Sequence, residues 1–115
     1  MTGHIIYVVD RVVLQPGYAK DFVEAYGREY APTARDRGMT LDRILVSPPI
    51  WFEDESNTVT VLWTLPGQAA WWKAAIEGRH DPGLAAWWTK MDYMIVERSR
   101  SMAGTVEDVD GLCDV

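Results

Sequence analysis

Three side chains stand where proton transfer or charge stabilisation could use them. His80 lies in the run Gly78-Arg79-His80-Asp81-Pro82-Gly83. An imidazole titrates at roughly pH 6.5 when unperturbed and so suits a general acid or base. The same position also suits a residue that caps the next helix or simply meets water. Asp10 interrupts the apolar run from His4 to Leu14. It is a candidate buried base, or else the ion-pair partner of Arg11 or Arg43. Arg43 alternates with Leu41 and Leu45, so its guanidinium points where apolar side chains point. It needs a carboxylate such as Asp10 or Glu97, a substrate anion, or a developing oxyanion.

Around these groups the chain is rich in rings, with six Trp, five Tyr and two Phe. Five of the tryptophans fall between residues 63 and 88. Each ring can bury on the order of 150–250 Å². That exceeds what a small core needs, so part of the set is expected to line a cavity or a subunit interface. Trp71-Trp72 and Trp87-Trp88 are adjacent pairs. Helical neighbours lie about 100° apart, so one ring of each pair packs inward while the other reaches a pocket mouth or rim. Tyr7, Tyr30, Trp63, Trp72 and Trp87 are the expected clamp for a flat hydrophobic molecule.

Other chemistries find little support. Two distant histidines and a lone cysteine, Cys113, make a poor metal-ligand set, and no HExxH or Cys–His spacing occurs. Neither GxGxxG, a P-loop nor GxSxG is present. No bound cofactor is expected. The net charge of -6 argues against nucleic acid and anionic membranes as partners. One cysteine forms no internal disulfide, and no apolar run is long enough to span a bilayer, so a cytoplasmic location is expected.

These groups need a scaffold, and the periodicity supplies one. His4 to Leu14 reads as a strand covered on both sides. Tyr18, Phe22, Tyr26 and Tyr30 recur every four residues. Steps of four drift by about 40° on a helix and so form one broad stripe. Pro32 should kink or end that helix. Residues 39–46 and 58–65 read as strands, and TVTVLWTL alternates cleanly, with Val59, Val61, Trp63 and Leu65 on one side. A helix should follow Pro66-Gly67 to about Glu77. A loop is expected over 78–83, a second helical piece over 84–92 and a last strand over 93–99. The order β-α-β-β-α-β is the ferredoxin-like split βαβ, an α+β fold with a four-stranded antiparallel sheet and helices on one face. The domain spans 1–103. Residues 104–115 carry Glu107, Asp108, Asp110 and Asp114 with no base, and read as a mobile, solvated tail. Strands with few charges on either face leave an apolar open face, which a sheet-on-sheet homodimer would cover.

The segments REYAPTARDRGMTLDRILVSPP, NTVTVLWTLPGQAAWW and DPGLAAWWTKMDYMIVERSRSM resemble the NIPSNAP-like branch of the dimeric α/β-barrel superfamily, over residues 4–102. That resemblance implies a homodimer with a pocket between sheet and helices. Relatives include cofactor-free monooxygenases of antibiotic biosynthesis, haem-degrading monooxygenases, isomerases and cyclases. The haem-degrading branch places a Trp late in the third strand and an axial His after it, roughly where Trp63 and His80 stand, but its first-strand Asn is missing here. The cofactor-free oxygenases pair an Asn with a strand Trp, as Asn57 and Trp63 do here at a different spacing. The leading expectation is a cofactor-independent isomerase, cyclase or monooxygenase acting on a flat hydrophobic metabolite. His80 or Asp10 would move protons while Arg43 stabilises an oxyanion. The alternatives are a non-catalytic hydrophobic-ligand binder or structural dimer and, more remotely, a haem-degrading monooxygenase.

Overall fold

The computed structural model describes residues 4–113 of the 115. Four strands form one antiparallel sheet in the order β2-β3-β1-β4, the ferredoxin-like arrangement expected from the alternation of elements. The strands are β1 (Ile5–Leu14), β2 (Thr40–Ser47), β3 (Thr58–Pro66) and β4 (Ile95–Ala103). Even-numbered residues of β1 and odd-numbered residues of β3 are buried under the helices, as strict alternation requires. The other face, with Tyr7, Val9 and Leu62, is only partly buried.

Between β1 and β2 the chain runs through α1 (Ala19–Ala25), a π-helical turn over Tyr26–Tyr30, and α2 (Ala31–Asp36). The Ala31 amide donates to the Tyr26 carbonyl, five residues back. The wider turn ends just before Pro32, which has no N–H and whose ring would crowd a regular α-helical carbonyl. The kink expected from Pro32 thus takes the form of a π turn. Phe22, Tyr26 and Tyr30 are fully buried, and the last two stack with ring centroids 4.7 Å apart. Gly17 closes the turn after β1 at φ +82°, where an added Cβ would meet the Glu53 carbonyl oxygen at 2.6 Å. No other residue fits there.

Between β3 and β4 lie α3 (Gln68–Arg79) and α4 (Pro82–Met91). The expected six-residue loop shrinks to His80 and Asp81. Asp81 caps α4 by accepting from the Gly83 amide at 2.9 Å, and Pro82 sits in the first turn. A short 3-10 turn, Asp92–Met94, delays the last strand, which runs to Ala103 instead of ending near 99. The acidic segment after it forms a 3-10 turn (Val106–Asp108) and α5 (Val109–Cys113). His4 Nδ1 lies 3.2 Å from Asp108 Oδ1, and the Gln68 amide donates to the Leu112 carbonyl. This segment therefore packs against the start of β1 and α3. No helix among the described residues is long and apolar enough to cross a membrane.

Candidate functional site

A chain of buried polar groups runs from beneath β3 towards the end of the helical layer. Trp63 is fully buried on β3 and donates its indole N–H to the Tyr26 hydroxyl at 2.7 Å. Tyr26 in turn donates to Asp10 Oδ2 at 2.9 Å. Asp10 also receives both arms of Arg100, Nε to Oδ1 at 2.5 Å and Nη2 to Oδ2 at 2.8 Å. Antiparallel pairing of β1 with β4 sets Arg100 directly opposite Asp10. Arg100 Nη2 also donates to the Tyr30 hydroxyl, and Arg37 Nη2 reaches the same oxygen at 3.3 Å. Both guanidiniums sit near the Tyr30 ring, 5.7 and 5.8 Å from its centroid.

Burial, then the negative charge of Asp10, raises the Tyr26 phenol well above its ordinary 10.0, so it stays protonated. Burial alone would weaken the positive charge of Arg100. The hydrogen bonds and charge of Asp10 outweigh it and hold the guanidinium more firmly protonated. With three donors on two oxygens, Asp10 is committed to structure. A second polar clamp joins the π turn to α4: Glu29 accepts from Trp87 at 2.9 Å and from Lys90 at 3.1 Å. These bonds, that of Trp87 first, hold the Glu29 carboxyl below its usual range.

Beside the polar chain, between the sheet and α3, lies a cavity of about 440 Å³. Small-molecule sites typically measure roughly 300–1,000 Å³. Its apolar walls are Val8, Leu65, Trp71, Ala74, Leu84 and Met102. Its polar wall is Arg37, Arg79, Arg100 and Ser101. No carboxylate, imidazole, amine or phenol of the described residues lines it. Nor do the described residues hold a cluster of three or more potential metal ligands.

The residues singled out in the sequence are distributed as follows. Asp10, Tyr30 and Trp63 belong to the buried polar chain; Trp87 packs on Tyr26 and Tyr30 at 6.0 and 5.3 Å. Tyr7 lies on the opposite, open face of the sheet, paired with Thr64 and Ala103. Trp72 is 55% exposed, while its neighbour Trp71 lines the cavity. His80 is exposed at the end of α3 and outside the cavity wall. Arg43 is also exposed and pairs with Asp42 at 3.0 Å, in place of Asp10 or Glu97. The reason is a bulge: Leu41 opposes Trp63 and Arg43 opposes Leu62, so Asp42 is an extra residue. Arg43 is thereby turned to the face opposite Leu41. Asn57, the other half of the suggested Asn–Trp pair, is buried and uses its side-chain amide to hold the connection before β3. It donates to the carbonyls of Pro48 and Ile50 and accepts from the Phe52 amide.

Sequence reading did not single out Arg37, Arg79 or Arg100, and it left open which of Trp71 and Trp72 faces inward. Arg100 lay one residue past the expected end of the last strand. Arg37 sits in TARDRG, which looks like a charged helix end. Only the register of β1 against β4 identifies the first, and only the tertiary fold buries the second.

No protein-family model matches the chain, and no curated protein does. Solved structures do match. A NIPSNAP family protein of unknown function from Agrobacterium tumefaciens superposes with a TM-score of 0.69 at 12% identity, over 90% of each chain. An uncharacterised NIPSNAP-like domain protein from Burkholderia xenovorans gives 0.68 at 16% identity, over 87% of this chain and 84% of that one. A second NIPSNAP family protein from Agrobacterium tumefaciens gives 0.68 at 14%, over 93% of this chain and 90% of that one. At such identities the likeness establishes the fold: this chain has the ferredoxin-like fold of NIPSNAP family proteins.

Proposed function

We propose that this protein binds a small, largely apolar molecule in the cavity between its sheet and α3, and works as a homodimer joined through the open sheet face. The observation that carries the first part is the cavity lining. Its walls are aliphatic and indole surface, and its polar groups are donors with no side chain able to accept a proton at neutral pH. Such a lining holds a ligand without supplying a base. The dimer is supported by the half-buried apolar residues of the uncovered face, Tyr7, Val9 and Leu62, with Leu45 half exposed beside them.

A second reading, cofactor-independent turnover of a flat hydrophobic metabolite, is favoured by one feature. Asp10 fixes Arg100 rigidly at the cavity wall, and a fixed donor of this kind stabilises an oxyanion without reorganising. Isomerisation, cyclisation or cofactor-free oxygenation would then need the substrate or solvent to take the proton.

The test is titration with Nile red, an uncharged apolar dye, followed by mass analysis of molecules that co-purify. One saturable site per chain is expected, lost in Ala75→Trp, which fills the cavity while leaving the far-UV dichroism unchanged. No saturable binding, or equal binding by Ala75→Trp, overturns the assignment. A co-purified molecule returned chemically altered after incubation would establish the second reading in place of the first.

A further inference from the structure

We infer that the cavity's ligand is an apolar carboxylic acid whose carboxylate sits on Arg37; this rests on the proposed binding function and names its ligand class. Arg37 is only 7% exposed. A guanidinium carries five N–H donors and keeps its charge at any physiological pH. Its hydrogen bonds go to neutral acceptors: Nη1 to the Thr33 carbonyl and hydroxyl at 3.3 and 3.4 Å, and Nη2 to the Tyr30 hydroxyl at 3.3 Å. The Nε–H has no partner among them. No ion pair of the described residues includes Arg37.

A buried charge is ordinarily paired, because its desolvation is costly. Asp10, 2% exposed, obeys that rule through the half-exposed Arg100, so the Asp10–Arg100 pair is already neutral. Arg37 has only neutral acceptors and the face of Tyr30 to offset its charge. Arg79, on the rim of the same cavity, also lacks an ion-pair partner among the described residues. The cavity therefore presents an uncompensated positive wall against an otherwise apolar interior.

The free edge of Arg37 is also accessible. Gly78 of α3 lies over it, and a Cβ added there would stand 3.5 Å from Nε. The same Cβ would stand 3.3 Å from Leu84 Cδ2, so the bare backbone keeps this side chain and the guanidinium edge uncrowded where both line the cavity. The planar fork suits a carboxylate, which can take two parallel hydrogen bonds from one guanidinium. The hydrocarbon part would lie along Trp71, Leu65, Leu84 and Met102.

Matched pairs of molecules test this by competition against Nile red: 2-naphthylacetate against 2-naphthaleneethanol, and decanoate against decanol. The acid of at least one pair is expected to bind tenfold or more tightly than its alcohol, as hydrogen bonds to a charged group allow. The better pair also tells whether the ligand is flat or extended. Arg37→Gln should abolish the preference by weakening the acid far more than the alcohol, and Arg37→Lys should restore part of it. Gly78→Val, which crowds the Nε edge, should act like Arg37→Gln and serves if that variant fails to fold. Saturable Nile red binding with no acid preferred over its alcohol overturns the carboxylate assignment and leaves the pocket standing. Absence of Nile red binding removes both.

Discussion

Asp10 gathers three donors on two oxygens, so its removal should be felt through every partner. Asp10→Asn leaves Arg100 without its counter-ion. We expect a loss of roughly 3 kcal/mol in urea unfolding, at the low end for broken buried pairs because the Arg100 side chain is 39% exposed. Adding Arg100→Met should recover part of that loss by removing the stranded charge. Tyr26 gives an alkaline signature. Its pKa in the folded protein lies above its ordinary 10.0, so the stability it contributes is fully present below that value and is lost as pH rises beyond it. Unfolding measured from pH 8 to 11 should show this extra decline, and Tyr26→Phe should flatten it, at a cost of about 1–3 kcal/mol at pH 8 from the orphaned Trp63 N–H. At this scale the sequence revealed Asp10 as out of place in an apolar strand. It did not reveal Arg100, because the partner lies ninety positions away and only strand register brings the two together.

At the scale of elements, alternation made β3 plain, since one of its faces is dry and the other half wet. The β2 bulge was invisible: an inserted Asp in MTLDRILV changes no composition, yet it reverses the face of every residue after it. The polar run ERSRS disguised the last residues of β4, whose hold on β1 comes from backbone pairing and the Asp10–Arg100 and Arg11–Glu97 ion pairs, while other side chains of the strand lie over rings of the helical layer. Arg98, for example, stands 4.2 Å above Trp88. Residues 104–113 read as tail because they are acidic and carry no base. They are held by Gln68 and by His4, whose hydrogen bond, with that of the Ile5 amide, keeps the Asp108 carboxyl below its ordinary range. A carboxyl depressed in this way holds its element above that range and releases it as pH falls through its folded pKa. Asp108→Asn should therefore speed amide exchange across 104–113 at neutral pH while β1 and β3 stay protected. Unchanged exchange would show that the His4–Asp108 contact does not hold α5.

The whole molecule is a plate. Its Cα extents are 48 × 31 × 19 Å, and its radius of gyration is 15.1 Å, against about 13 Å for a compact domain of this length. Its accessible surface of 6989 Å² exceeds the roughly 6,300 Å² expected for a 13.0 kDa monomer. Two layers of secondary structure with one sheet face uncovered account for both. On the proposed homodimer, Val9→Glu, which sets a charge in the middle of the open face, should convert a species of twice the chain mass in light scattering into a monomer with unchanged dichroism. A wild-type protein that already runs at the single-chain mass would remove the dimer. Plate shape also has a hydrodynamic consequence. A lone chain tumbles anisotropically, so backbone ¹⁵N relaxation should depend on whether each N–H lies along the long axis or across the thin one. Back-to-back stacking more than doubles the short dimension and so reduces the anisotropy and changes its axis. Rotational diffusion, read residue by residue, thus reports how many sheets are stacked without reference to mass.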